Sequence, residues 1–196
     1  MRLASFILAT AAALALARPA LAHESVYAAP LLGASEVPSN PSPGSGTTIV
    51  TIDFDLVTMR VQASFSGLLG DVTAAHIHCC VLPGANVGVA SQTPSFTGFP
   101  TGVKAGTYDH TFDMALASSY NAAFITANGG TVGSAFNALV LGLDAGKAYL
   151  NIHTNLYTGG EIRGLLVAVP EPETYALMLA GLTGVAFAAR RRRSSP

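Results

Sequence analysis

Three short pieces of this 196-residue chain carry side chains that could do chemistry. Ala75-His76-Ile77-His78 sets two imidazoles at alternate positions, and Tyr149-Leu150-Asn151-Ile152-His153-Thr154 supplies a third. Gly160-Glu161-Ile162-Arg163-Gly164 alternates a carboxylate with a guanidinium. In extended backbone, successive side chains point to opposite faces, so His76 and His78 share one face about 6–7 Å apart. His153 falls on the polar parity of its own segment, with Tyr149 and Asn151. If the two segments pair, three imidazoles meet on one face and can make a copper or zinc site. The alternative is a polar seam in which Asn151, Glu161 and Arg163 tie strands together. Either way a shared seam is expected, because a buried polar group left unpaired costs about 1–3 kcal/mol.

Other chemistries find little support. No Gly-x-Ser-x-Gly elbow occurs, and no glycine-rich stretch runs into a Lys-Ser/Thr pair, so hydrolase and phosphate-loop readings fall away. Asp109 and His110 are expected to face solvent at a loop-to-strand junction. The only cysteines, Cys79 and Cys80, are adjacent. A vicinal disulfide, two free thiols and a metal contact all fit such a pair, and no zinc-finger spacing is present.

The elements that must position these residues are mostly strands. Val50, Ile52, Phe54 and Leu56 alternate with polar residues, as do Met59, Val61, Ala63 and Phe65. Only Val57 and Thr58 separate the two runs, which predicts a hairpin. Thr73–Val81, Thr107–Met114, Ala148–His153 and Glu161–Val167 read as further strands. Residues 38–46 and 83–108 read as loop, with room for one short strand in the second. An alanine-rich stretch over 117–127 ends at Asn128-Gly129-Gly130 and predicts a helix, followed by a second that Thr131 or Ser134 caps and that runs to about Leu143. The expected fold is mainly β: an antiparallel β-sandwich or Greek-key-like domain with a short helical insertion on one edge.

Both ends read as targeting segments. Arg2, an uncharged run from Leu3 to Ala17, and Ala20-Leu21-Ala22 have the order of a secretory signal peptide, with a signal peptidase cut expected before His23. The new amino terminus at His23 could itself chelate copper, although an exposed terminus is the simpler expectation. At the other end, Val169-Pro170-Glu171-Pro172 precedes an apolar stretch, Thr174–Ala189, and then Arg190, Arg191, Arg192 and Arg193. The stretch has 16 residues, against about 20 for a comfortable bilayer-spanning helix. The four arginines would hold its far end in the cytoplasm. This order resembles the PEP-CTERM sorting signal of Gram-negative bacteria. That resemblance implies an exosortase-type processing enzyme, transient inner-membrane anchoring, and delivery to the cell surface or extracellular matrix. Exopolysaccharide or envelope proteins would then be partners.

The expected organisation is therefore a signal peptide over 1–22, one domain over 23–168 and a sorting segment over 169–196. The domain holds four basic residues (Arg60, Lys104, Lys147, Arg163) against nine acidic ones, and the chain has no tryptophan. An acidic domain without a basic stripe argues against nucleic-acid binding.

Within the domain, Leu32-Gly33-Ala34-Ser35-Glu36-Val37-Pro38, Phe65-Ser66-Gly67-Leu68, Ala74-Ala75-His76-Ile77-His78, Asn151-Ile152-His153-Thr154 and Gly160-Glu161-Ile162-Arg163-Gly164 stand in the order of the CHRD domain. The resemblance spans roughly residues 26–167. It implies an extracellular β-rich module; it implies no settled enzymatic activity and no established ligand. The expectation is a non-enzymatic binding or structural protein; a secreted copper, zinc or redox protein using the His-x-His site is the alternative.

Overall fold

A computed structural model of the protein describes residues 23–170, together with 179 and 181–183, which are helical. The expected signal peptide, with Ala20 and Ala22, lies outside the described residues. So do Glu171, Pro172, Arg190–Arg193 and nearly all of the apolar stretch 174–189. Among the described residues, no helix is long and apolar enough to cross a membrane.

Eight strands build the domain. In chain order they are β1 (Glu24–Leu32), β2 (Ser45–Asp53), β3 (Thr58–Ser66), β4 (Val72–Cys79), β5 (Gly106–Asp113), β6 (Ala148–Thr154), β7 (Ile162–Leu165) and β8 (Val167–Ala168). Two helices, α1 (Ala122–Ala127) and α2 (Val132–Asp144), lie between β5 and β6. The mainly β, antiparallel expectation holds, and the helices fall where the alanine-rich stretch placed them. The layering differs from two stacked sheets. All strands join one sheet in the order β4-β6-β7-β1-β2-β3-β5, with β8 also on β1, and the sheet curls into a half-barrel. The reason is β1. It pairs with β2 over its full length, and on its other side it meets β7 at Leu32–Arg163 and β8 at Tyr27–Ala168. One strand thus joins what would otherwise be separate layers.

The alternation read in β2 and β3 orders the core. Val50, Ile52, Met59, Val61, Ala63 and Phe65 turn inward, with their polar neighbours on the outer face. The hairpin between them is wider than two residues. Asp53 ends β2, and its Oδ1 accepts from the N–H groups of Asp55 and Leu56, an Asx turn that holds the chain out of the ladder until Thr58.

The gap between the two sheet edges is closed by loop. Residues 89–103 run along the free edge of β4. Ala90 and Ser91 donate to the Ile77 carbonyl, Phe96 to Ala75, and Gly102 to Val72, while Val72 donates to Val103. An edge that would otherwise expose unpaired backbone groups is covered. The same loop sends Phe96 and Phe99 inward against Tyr108, Phe112 and Phe65. α2 caps the other flank with Ala135, Leu139 and Leu143 buried. Of the two expected caps Thr131 is the N-cap, and it forms a capping box with Ser134; the helix's last residue, Asp144, accepts a 2.5 Å hydrogen bond from the Tyr27 hydroxyl on β1.

Candidate metal centre

β4, β6 and β7 depart from the one-sided pattern of β2 and β3. Their residues are buried on both faces of the sheet for most of their length. The inner face carries Ala75, Ile77, Ala148, Leu150, Ile152 and Ile162, which belong to the core. The outer face carries His76, His78, Tyr149, Asn151, His153 and Arg163, under the loops 33–40, 81–96 and 155–160.

The register brings the three histidines together. His76 stands opposite Asn151, His78 opposite Tyr149 and His153 opposite Ala74. Ring centroids are 5.8 Å apart for His76–His78, 5.1 Å for His76–His153 and 5.8 Å for His78–His153. Each ring uses one nitrogen on a backbone carbonyl: His76 Nε2 to Pro94 at 2.5 Å, His78 Nδ1 to Val87 at 2.8 Å and His153 Nδ1 to Thr158 at 2.9 Å. A carbonyl only accepts, so each of these nitrogens carries the hydrogen of a neutral imidazole and the other ring nitrogen keeps a bare lone pair. Those three nitrogens, His76 Nδ1, His78 Nε2 and His153 Nε2, are buried and have no hydrogen-bond partner. One ligand atom from each ring lies within 4.8 Å of the others.

Burial holds the imidazoles in their neutral form. It lowers the pKa of His78 to about 4 and pulls those of His76 and His153 below the usual histidine value. Tyr149 stacks on His78 at 4.8 Å, and the Arg163 guanidinium lies over the Tyr149 ring at 4.6 Å. Arg163 is itself buried. It donates to the Ser35 carbonyl and to Asn86 Oδ1, and its Nε stands 3.8 Å from the Glu36 carboxylate. Burial raises the Glu36 pKa to about 7, against the pull of Arg163 and Asn151. Glu36 Oε1 and Asn151 Oδ1 are buried without partners, and a side chain at Gly160 would collide with both residues.

Glu161 serves a different place. Its carboxylate is fully buried and accepts from Ser42 Oγ (2.6 Å), Leu69 N–H (2.5 Å), Gly70 N–H (3.0 Å) and Thr154 Oγ1 (2.7 Å). Burial works against its charge, but these hydrogen bonds outweigh it and hold the carboxyl below its ordinary range. Glu161 therefore ties the loops after β1 and β3 to β6, while Arg163 belongs to the histidine seam.

Other candidates lie apart. His23 is exposed, with its ring 4.9 Å from Phe54 and its N–H directed at Asp55. His110 is half-buried inside β5 rather than at a junction, 4.6 Å from Phe112, and Asp109 forms an exposed pair with Arg60. Cys79 and Cys80 are joined in a vicinal disulfide, the first of the three alternatives for that pair. Sequence reasoning passed over Glu36 and Tyr149 as site residues. Tyr149 shared the polar parity of Asn151 and His153; Glu36 offered only its place in a motif.

The curled antiparallel sheet with a loop-covered histidine seam defines a β-rich module. Its family follows from direct comparison: the chain belongs to the CHRD domain family, which matches residues 27–166. Residues 168–193 match the PEP-CTERM protein-sorting motif, which marks an exported protein processed by an exosortase-type enzyme. No curated protein and no solved structure matches the chain significantly.

Proposed function

We propose that the chain is a non-enzymatic, cell-surface or matrix-associated module that holds one transition-metal ion at His76, His78 and His153. The observation that carries this reading is a cluster of three imidazoles, with one ligand atom from each within 4.8 Å of the others, in which every ring has one nitrogen fixed by a carbonyl and the other buried without a partner. Structural histidines in a polar seam would use both nitrogens; here three lone pairs are left, each worth about 1–3 kcal/mol if unmet. One cation meets all three. Imidazole rings fixed from behind by a backbone carbonyl are the usual support of metal-bound histidine. At metal–nitrogen distances of about 2.0–2.1 Å, ligand nitrogens stand roughly 3.4 Å apart, so small ring rotations bring the present cluster into range. Catalytic metal sites keep an open position for substrate, whereas these nitrogens are buried, which supports storage, capture or structural use over turnover.

The test is elemental analysis of the purified full chain after exposure to copper and to zinc, beside His78→Ala and His153→Ala variants. About one equivalent bound by the wild type and lost in folded variants is expected. A folded wild-type chain that takes up neither metal overturns the reading.

A further inference from the structure

The donor set, the seal around it and the neighbouring charge together choose among ions. We propose that the three-histidine site is built for copper(I), held in a closed three-coordinate arrangement, in preference to zinc(II) or copper(II). This inference rests on the metal-binding reading above and deepens it.

The first ground is coordination number. Among the described residues the cluster offers three histidine nitrogens and no carboxylate or thiolate. The nearest sulfurs, Cys79 and Cys80, are bonded to each other, and both approach Gly142 of α2 so closely that a side chain there would collide with them. Glu161 is committed to four other hydrogen bonds. Zinc(II) takes four ligands, the fourth being water or substrate where the protein supplies three. Copper(I), a filled-shell monovalent ion, is stable with three. The three free nitrogens are screened from solvent by the loop bearing Val87 and Pro94 and by the turn bearing Thr158.

The second ground is charge. Neutral imidazoles leave the ion's whole charge in a low-dielectric place, and the cost of burying an ion rises with the square of its charge. A divalent ion therefore loses about four times as much as a monovalent one by this Born term. The nearest buried cation, Arg163, lies over the ring that stacks on His78 and adds repulsion. Glu36 balances Arg163, not the ion.

The third ground is what stands behind the rings. All three support groups are backbone carbonyls. A carboxylate there would raise imidazole basicity and bring a counter-charge for a divalent ion. Carbonyls fix the ring and raise its basicity as well, but they bring no counter-charge.

The experiment titrates the full chain, solubilised in detergent, anaerobically and without thiol reductant. The probes are copper(I) from its acetonitrile complex, zinc(II) and copper(II), each against a chromogenic competitor. Copper K-edge absorption reads the ligands. The expected result is one copper(I) per chain, with three nitrogen scatterers and no sulfur, retained against roughly a hundredfold excess of zinc(II). His153→Gln, at the half-exposed rim, should weaken copper(I) at least about tenfold while the chain stays folded by circular dichroism. Zinc(II) or copper(II) bound as tightly at the same histidines overturns the copper(I) assignment and leaves the metal-binding reading standing. Sulfur in the copper shell overturns it too. No binding of any of the three ions overturns both.

Discussion

At the scale of single residues, the outer face of β4, β6 and β7 is a row of polar and ring side chains, from the histidines through Tyr149 to Arg163 and Asn151, with Glu36 beside Arg163. Glu36 sets its pH response. Its carboxyl in the folded chain titrates near 7, above the ordinary value near 4.5, because burial penalises the charge more than Arg163 rewards it. The stability it brings is complete below pH 4.5 and is lost as the pH rises through about 7, up to about 3 kcal/mol. Glu36→Gln should remove that fall. The buried histidines give the opposite slope on the acid side, since lowered values mean stability lost as pH drops, and they contribute equally to both proteins. Urea unfolding of the metal-free forms from pH 4 to 8 isolates the difference; equal pH slopes would contradict the assignment. Of this line, the histidines were legible because period-2 backbone fixes which side chains share a face. The carbonyls of Val87, Pro94 and Thr158 were not, since backbone groups leave no trace in side-chain pattern. Glu36 was hidden for another reason: it reaches Arg163 from 127 positions away in the chain, and nothing local marks that meeting.

Among the elements, α2 shows most directly how one residue type takes opposite values. Gly142 faces the Cys79–Cys80 disulfide, and a Cβ there would overlap both sulfurs, whereas a Cβ at Gly133 meets nothing within 4 Å. Gly133→Ala should stabilise the chain by about 0.5–1 kcal/mol through helix propensity alone. Gly142→Ala should destabilise it by about 1–3 kcal/mol, because overpacking against a fixed sulfur pair outweighs that gain. Chemical denaturation of the two variants gives shifts of opposite sign if α2 docks as described, and shifts of like sign if it does not. Strands β3 and β6 could be read from alternation nearly to the residue, whereas β2, read from Val50 to Leu56, runs from Ser45 to Asp53. β1 could not. It carries Pro30 and little alternation, which normally argue against a central strand. It is tolerated because β1's second side is paired only at Tyr27, Ala28 and Leu32, leaving Pro30 clear of that ladder. The last strand was read as one piece, Glu161–Val167, but it divides at Leu166, which donates to Ala148 before β8 moves onto β1.

For the whole molecule, the last sheet contacts among the described residues fall where the sorting motif begins. β8 ends at Ala168, and Val169 N–H makes a last 2.8 Å bond to the Val26 carbonyl. A chain ending at Pro170 should therefore melt with the full-length protein. One ending at Leu166 loses the contacts of β8 with β1 and should melt roughly 5–10 °C lower. Equal melting of the two would show that β8 is dispensable. The pairing of β1 with β8 also decides posture. Both ends of the domain leave the sheet on the same side, near Tyr27 and Ala168. Leu32, Arg163, Asn151 and His76 form a single row across four strands, about 17 Å further along β1. The two ends of the domain and the histidine row thus lie at opposite ends of β1, so that anything joined to either terminus stays about 17 Å from the site.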